Sequence, residues 1–178
     1  MLLSHCYSRN QRGFTLAEVM VSISIAVLFG AAAFATNNRL LVALKDQKQQ
    51  TAATMMLQER MEKFRAIGYS NVADPTYIST NVLGTTTTSE AALGGLNEYV
   101  TVSGYTATSG YTAVPASDYN QWQRNSTYPT GNSIHTTSSL ATNYDLIKVD
   151  IVITWTGSNG RTHTRELASI FGKGNISQ

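Results

Sequence analysis

Charged residues, cysteine and proline are scarce in this chain, and each scarcity excludes a class of protein. Charged residues make up 13% of the 178 residues and the formal net charge is +2. These values argue against a nucleic-acid binder with a strongly basic surface and against a chain kept disordered by charge. The single cysteine, Cys6, cannot form a disulfide within the chain. None of the three prolines precedes Pro75, so no proline interrupts a helix in the first part of the sequence.

Sequence patterns of catalysis and metal binding are missing as well. The chain has no G-x-S-x-G, H-E-x-x-H, P-loop or dinucleotide-binding pattern. His135 and His163 have no histidine, cysteine or carboxylate at metal-ligand spacing. Asp145, Asp150 and Glu166 do not form the dense loop of oxygen ligands that calcium needs. We therefore predict a protein that is not an enzyme and that has no catalytic residue, no metal ligand and no cofactor.

A long apolar run near the N-terminus predicts a membrane-spanning helix. Residues 14–35 are apolar apart from Glu18 and three small hydroxyl residues. A helix of that length spans roughly 33 Å, which is enough to cross the hydrocarbon core of a bilayer. A cleavable secretory signal has an apolar core of only about 7–15 residues, followed by a small-residue cleavage site. The run is longer than that, and no such site follows it.

Glu18 is the informative residue of this segment, because a carboxylate inside an apolar helix needs a partner or a place near the interface. It lies in the sequence QRGFTLAE, residues 11–18. A short basic leader ends in Gly13, Phe14 follows, and Glu18 is the fifth residue after the glycine. This arrangement resembles the prepilin signal of type IV pilins and pseudopilins.

The resemblance implies how the chain is processed and what it meets. A prepilin peptidase would cut between Gly13 and Phe14 on the cytoplasmic side, and the new amino group of Phe14 would be methylated. Glu18 would then pair with the Phe14 amine of a neighbouring subunit in a filament. The implied partners are the peptidase, other pilin or pseudopilin subunits, the inner-membrane assembly platform and the membrane, with no nucleic acid. The implied location is the inner membrane, single-pass, with a periplasmic C-terminal domain, and later a pilus or pseudopilus.

A second helical pattern continues from the apolar run. Residues 40–67 contain no glycine or proline and are rich in helix-forming residues. Four apolar residues follow a helical spacing of 4, 4 and 3, which predicts one buried stripe: Ala53, Leu57, Met61 and Phe64. Gly68 is a plausible C-cap. We therefore expect one helix over residues 14–67, amphipathic only in its second half.

Two groups of side chains on this second half have simple interpretations. The methionines Met55, Met56 and Met61 fit core packing against a sheet better than a metal or cofactor role. The charged residues fit a solvated face with pairs three or four residues apart: Glu59, Arg60, Glu62, Lys63 and Arg65.

The remaining sequence predicts a small antiparallel sheet. Asp74-Pro75 marks a turn, residues 99–102 read as a short strand, and residues 103–144 fit either a long loop or irregular short strands. Apolar residues alternate from Ile147 to Trp155, which predicts a half-buried strand. The sequence at residues 157–160 predicts a hairpin turn, and residues 161–171 form the return strand.

These patterns together predict an α+β, pilin-like fold, in which a long N-terminal helix packs on a small antiparallel sheet. The predicted segments are a prepilin leader at 1–13, the transmembrane half of the helix at 14–38, its amphipathic half at 39–68, and a C-terminal β domain at 69–178. The β domain carries a Thr/Ser/Tyr-rich insertion at about 103–144.

We interpret the chain as a minor type IV pilin-like structural subunit, and two alternatives stay open. A minor pseudopilin of a type II secretion system has the same leader, long helix and small sheet. A membrane-tethered extracytoplasmic binding module would use residues 103–144 to hold a ligand and would never polymerise. Glu18 separates this last class from the others, since a tethered module has no need of that carboxylate.

Overall fold

A long helix, α1, opens the computed structural model, which describes residues 13–87, 89–106, 112–113, 118–137 and 140–174. Helix α1 runs over Leu16–Ala66 without interruption, close to the predicted range of 14–67. It ends just before Gly68, which has a φ of 72°, a conformation that glycine adopts without the strain other residues meet. Of the predicted leader, only Gly13 lies within the described residues.

The first of two compact units, which divide between Leu41 and Val42, contains the apolar part of α1. Every described residue of this unit is exposed, including Phe14 at 84% and Phe29 at 74%. The hydroxyl groups of Ser22, Ser24 and Thr36 donate to the carbonyl four residues earlier at 2.8–2.9 Å, so these donors are satisfied within the helix, as an apolar surrounding requires. Among the described residues, α1 is the one helix long and apolar enough to cross a membrane.

In the second unit, α1 buries one side. The predicted stripe is confirmed, since its four residues are buried with Ala52 and Met56 in a single core. Met55 is 56% exposed, so the prediction that it packs in the core is wrong. Successive helix residues point about 100° apart, and Met56 takes the inward position.

Two short helices follow α1, at Gly68–Val72 (α2) and Pro75–Tyr77 (α3). Asp74 is the N-cap of α3, and its carboxylate accepts hydrogen bonds from the backbone N–H of Thr76 at 2.8 Å and of Tyr77 at 3.3 Å. The chain continues through a π-helical turn at Ile78–Leu83 and a 3-10 turn at Glu90–Ala92. The Asp74-Pro75 pair therefore starts a helix rather than only turning the chain, because aspartate at the N-cap and proline at the first helical position favour both outcomes.

The rest of the described chain forms an antiparallel sheet. Its strands are β1 (Gly94–Thr106), β2 (Thr112–Ala113), β3 (Tyr119–Asn125), β4 (Asn132–His135), β5 (Leu146–Thr156) and β6 (Thr162–Gly172). Five of them lie in the order β4-β3-β1-β5-β6, and β2 pairs with the last residues of β1. A short helix, α4 (Leu140–Asn143), lies between β4 and β5. The predicted α+β, pilin-like fold, a long N-terminal helix on an antiparallel sheet, is confirmed.

The C-terminal hairpin matches its prediction closely. Residues 147, 149, 151, 153 and 155 of β5 are buried and alternate with partly exposed residues. The turn is closed by hydrogen bonds from Gly157 N–H to the Arg161 carbonyl at 2.8 Å and from Gly160 N–H to the Gly157 carbonyl at 3.0 Å. Gly160 has a φ of 75°, which explains the glycine at that position of the turn.

The described part of the segment 103–144 holds strands β3 and β4, so the second of the two alternatives, short strands, fits this part. Residues 107–111, 114–117 and 138–139 of the segment lie outside the described residues. Strand β3 pairs with β1 in the middle of the sheet, and it buries Trp122. On the opposite face of these two strands the side chains are uncharged. There Gln123 Nε2 donates to the Tyr99 hydroxyl at 2.9 Å, and Gln121 Nε2 donates to the Thr101 hydroxyl at 3.0 Å.

A cluster of four buried or half-buried charges corrects the interpretation of Arg60. This side chain is fully buried, and its Nε and Nη2 atoms lie 2.8 Å and 3.2 Å from the two carboxylate oxygens of Glu98 on β1. Arg124 on β3 donates to the same carboxylate at 3.0 Å and also bonds Glu90. Arg60 lies four residues from Met56 and from Phe64, so it belongs to the buried stripe. The pairs of Glu59 with Lys63 and of Glu62 with Arg65 form as predicted.

The surroundings of this ion cluster keep Glu90 and Arg124 charged. Burial alone would raise the pKa of Glu90, but hydrogen bonds from Arg124 and from Thr87 hold that pKa below its ordinary value. Burial alone would lower the pKa of Arg124, but its hydrogen bond to Glu90 and the charge of Glu98 raise it above its ordinary value. Two positive and two negative groups thus neutralise one another within the fold.

We predict that Arg60→Ala lowers the free energy of unfolding by about 3–5 kcal/mol, because it leaves the buried Glu98 carboxylate without its closest cation. Denaturant unfolding of the full chain in mild detergent, followed by tryptophan fluorescence, measures this. The control is Arg65→Ala, which removes an exposed ion pair and is expected to cost less than about 1 kcal/mol. Similar losses in the two variants would contradict the importance of the buried cluster.

Candidate processing and assembly site

The residues before α1 form an open segment. Gly13, Phe14 and Thr15 precede the first helical residue and are exposed. Apart from Gly13 and its chain neighbours, no heavy atom of the described residues lies within 4 Å of the position where a side chain on Gly13 would begin. The bond between Gly13 and Phe14 is therefore outside regular structure. That is the condition under which a protease can bind a peptide in an extended form.

Thr15 and Glu18 form a reciprocal N-cap. The Glu18 carboxylate accepts hydrogen bonds from the Thr15 backbone N–H at 2.9 Å and from its hydroxyl at 3.0 Å, and Glu18 N–H donates back to the Thr15 hydroxyl at 3.3 Å. The Thr15 carbonyl accepts the first helical hydrogen bond, from Val19 N–H at 3.2 Å. This is the capping box of the pattern Thr-x-x-Glu. Sequence reasoning missed the role of Thr15, although this spacing is a known signal of a helix start.

The capping box satisfies hydrogen bonds but not charge. Both donors that Thr15 offers to Glu18 are neutral groups, and both bonds end at the same oxygen, Oε2. Within the described residues the other oxygen, Oε1, keeps its capacity to accept. Chemically, Glu18 is thus a preoriented carboxylate at the head of an exposed apolar helix, and it can receive a cation from outside its own chain.

The other titratable residues singled out in the sequence lie in the sheet domain, where Asp150 and Glu166 line one surface depression on β5 and β6. His135 stacks on Tyr119 with ring centres 4.1 Å apart, and His163 stacks on Trp155 at 5.4 Å. Asp150 pairs with Lys148 at 2.7 Å, while Asp145 lies 4.0 Å from Lys173. In the part of the chain that the structure describes, no group of three histidine, cysteine or acidic residues could hold a metal ion.

Comparison with known proteins identifies the N-terminal signal. Residues 8–34 match the family model of the prokaryotic N-terminal methylation motif, which is the type IV prepilin-like signal. No curated protein and no solved structure matches the chain significantly. The signal and the α+β fold together support a type IV pilin-like or pseudopilin-like protein with a prepilin-type signal.

The motif also has an implication for maturation. A prepilin-type signal implies processing by a prepilin peptidase and assembly with other pilin subunits. The apolar helix and the motif together fit anchoring in a membrane by a single N-terminal span. The individual roles of Gly13, Phe14 and Glu18 stay predictions.

We predict that Thr15→Val loosens the first turn of α1, because it removes the hydroxyl that serves as both donor and acceptor in the capping box. Loss of such a cap costs about 0.5–2 kcal/mol, which corresponds to roughly twofold to thirtyfold faster exchange of the Glu18 amide hydrogen. Nuclear magnetic resonance on the protein in detergent micelles measures this rate. Ser24→Ala is the matched control, since its hydroxyl bonds only the Met20 carbonyl. An unchanged exchange rate at Glu18 in Thr15→Val would show that the cap does not hold the carboxylate.

Proposed function

We propose that the protein is a minor type IV pilin-like subunit, which is cut between Gly13 and Phe14 and then assembled into a pilus. Before assembly it sits in the inner membrane with its C-terminal domain in the periplasm. One observation carries the proposal: among the described residues, Glu18, at the head of an exposed apolar helix, is held in a fixed orientation by neutral donors only. A carboxylate prepared in this way suits a cation supplied by another subunit.

Processing creates that cation. Cleavage after Gly13 releases the amino group of Phe14, four residues before Glu18, and methylation leaves this amine positively charged. The cut also removes Arg9 and Arg12, so the mature chain carries 11 basic and 11 acidic residues. In our proposal the open conformation of residues 13–15 admits the peptidase, and α1 begins only after the bond to be cut.

Assembly then pairs Glu18 with the Phe14 amine of a neighbouring subunit. Both groups lie beside residues whose apolar side chains are exposed, and packing of these side chains between subunits would exclude water. An unpaired charge in such a surrounding costs several kcal/mol. The pairing therefore favours the one register between neighbouring helices in which the carboxylate meets the amine.

The sheet domain favours a pilus subunit over its alternatives. Between Tyr99 and Tyr144 the sequence carries only two charged residues, Asp118 and Arg124, and the outer side of β1 and β3 is a neutral surface of amides and hydroxyls. Such a surface suits the outside of a filament. A minor pseudopilin of a type II secretion system is the first alternative, and neighbouring genes for secretion-channel or pilus assembly components would decide between the two.

We predict that the mature protein begins at Phe14 and carries a methyl group on its amine. Intact-mass measurement of protein extracted from membranes, with sequencing of its N-terminal peptide, tests this. Gly13→Leu is expected to leave the precursor uncut, because a glycine at that place is what the peptidase of this signal requires. Gly30→Ala, a glycine inside the exposed helix, serves as control and should be processed normally. Recovery of mature protein that retains Met1 would overturn the proposed processing.

We predict that Glu18→Ala and Glu18→Gln both insert into the membrane and are both cut after Gly13, yet both enter filaments at least about tenfold less than the wild type. The charge pair that they lack is worth more than the 1.4 kcal/mol of a tenfold change. Glutamine can keep the hydrogen bonds of the capping box, so this variant isolates the charge. The measurement is the ratio of protein in sheared filaments to protein in membranes.

Other outcomes of that experiment have distinct meanings. Normal assembly of Glu18→Gln with failure of Glu18→Ala would mean that the carboxylate acts as a cap and not as a charge partner. Normal assembly of both variants would contradict the assembly role of Glu18. It would favour the membrane-tethered binding module, which has no use for that carboxylate.

A further inference from the structure

Two side chains of α1 accept hydrogen bonds from the β5–β6 hairpin, one from its turn and one from strand β6. Asp46 Oδ1 accepts hydrogen bonds from the Ser158 backbone N–H at 3.1 Å and from its hydroxyl. One helical turn along, Gln50 Oε1 accepts from an Arg165 guanidinium nitrogen at 3.4 Å. Both contacts join residues more than one hundred positions apart in the sequence, and the side chains that make them reach solvent. They are the hydrogen bonds that close this end of the interface between helix and sheet.

Polar atoms without partners lie at the same end. Four buried side-chain polar atoms of the described residues lack a hydrogen-bond partner, and three of them belong to this region: Gln49 Oε1, Trp155 Nε1 and His163 Nε2. Gln49 lies on α1 next to Gln50, while Trp155 and His163 are opposite residues of β5 and β6. Each atom gives up hydrogen bonds to water when this end is closed and gains none in return.

The packing around His163 explains how water is kept out. Its ring stacks on Trp155 with an angle of 22° between the planes, and a side chain on Gly157 would begin only 2.5 Å from His163 Nε2. The turn therefore covers this nitrogen directly. Further along the hairpin the situation differs, since Ile147, Val149, Ile151 and Ile153 bury apolar atoms only.

We propose that residues 157–163 form a releasable latch on α1, which opens locally while the rest of the sheet stays folded, and that Asp46 keeps it closed. Opening hydrates the three unpaired polar atoms, so its free-energy cost is smaller here than along the aliphatic part of the hairpin. Local opening of this kind is how regions of low stability separate from a folded core. The inference concerns the sheet domain and does not depend on the proposed assembly into a pilus.

The charges around Asp46 give the direction of its pH dependence. The hydrogen bond from the Ser158 hydroxyl is the largest influence on the pKa of Asp46 and lowers it. Burial raises this pKa, but the backbone hydrogen bond from Ser158 and the nearby charges of His163 and Lys45 lower it, so that it lies below its ordinary value. Arg165, bonded to Gln50, is the remaining charged side chain that the hairpin contributes to these contacts. A carboxyl group with a lowered pKa in the folded state stabilises that state above its unfolded pKa, and the contribution is lost as pH falls through the folded pKa. Acidification should therefore open the latch.

Hydrogen exchange of the two tryptophan side chains tests the latch in the full-length protein. The chain contains two tryptophans, and Trp122 and Trp155 are each only 1% exposed, so both side chains are equally buried in the folded domain. With nitrogen-15-labelled tryptophan in detergent micelles, we expect the Trp155 indole hydrogen to exchange about tenfold faster than that of Trp122, or more, and the response of this ratio to substitution of Asp46 separates opening of the latch from the missing hydrogen bond of Trp155 Nε1. Asp46→Ala should accelerate Trp155 further and leave Trp122 unchanged, while Ser158→Ala, which keeps the backbone hydrogen bond, should accelerate it less.

Gln47→Ala is the matched control, because Gln47 is an exposed neighbour of Asp46 on α1, and it should change neither rate. Asp46→Asn keeps an acceptor oxygen but loses the charge, so acid should no longer raise the exchange rate of Trp155 relative to that of Trp122 in this variant. Equal exchange of the two indoles in the wild type would overturn the proposal. So would an Asp46→Ala variant in which both rates rise together, since that is global unfolding, or one in which neither rate changes.

Discussion

The ion pairs of the Glu98 carboxylate with two arginines are the interaction on which the packing of the second unit depends. This carboxylate lies on the central strand β1 and accepts hydrogen bonds from an arginine of α1 and from an arginine of β3, so one buried anion joins the helix to two strands. Glu90 adds the connection before β1 to the same cluster. An apolar core alone would allow the helix to slide or rotate on the sheet with little penalty, whereas charges that must meet their partners allow one arrangement.

Each of the two parts of α1 carries a charged residue, Arg60 or Glu18, whose surroundings differ. In the sheet domain a buried arginine finds its anions inside the fold. At the start of the helix the charge of Glu18 finds hydrogen bonds but no cation among the residues that the structure describes, and the apolar residues that follow it are exposed. The described residues of this first unit therefore offer neither a cation for Glu18 nor a cover for the exposed apolar side chains. We expect lipids or other subunits to supply both.

Periodic apolar patterns predicted those elements whose inward-facing residues are all apolar. The stripe of α1 and the alternation of β5 are confirmed because each places apolar residues at every inward position. The sequence did not clearly predict strand β3, because two of its three inward-facing residues are polar. These three residues are Asn120, Trp122 and Arg124. The burial of Arg60 could not be foreseen either, since it depends on partners 30 and more positions away in the sequence. The cap by Thr15, in contrast, could have been predicted from the sequence, because the pattern Thr-x-x-Glu is purely local.

The neutral outer side of β1 and β3 has a consequence for the conditions under which the protein works. Ions in solution screen interactions between charges over distances of about 8–10 Å at moderate salt, but they leave hydrogen bonds between amides and hydroxyls nearly unaffected. Contacts made through the side chains of Tyr99, Thr101, Gln121 and Gln123 would therefore keep their strength over a wide range of ionic strength. We therefore expect a partner bound through this surface to bind with similar affinity at low and at high salt concentration.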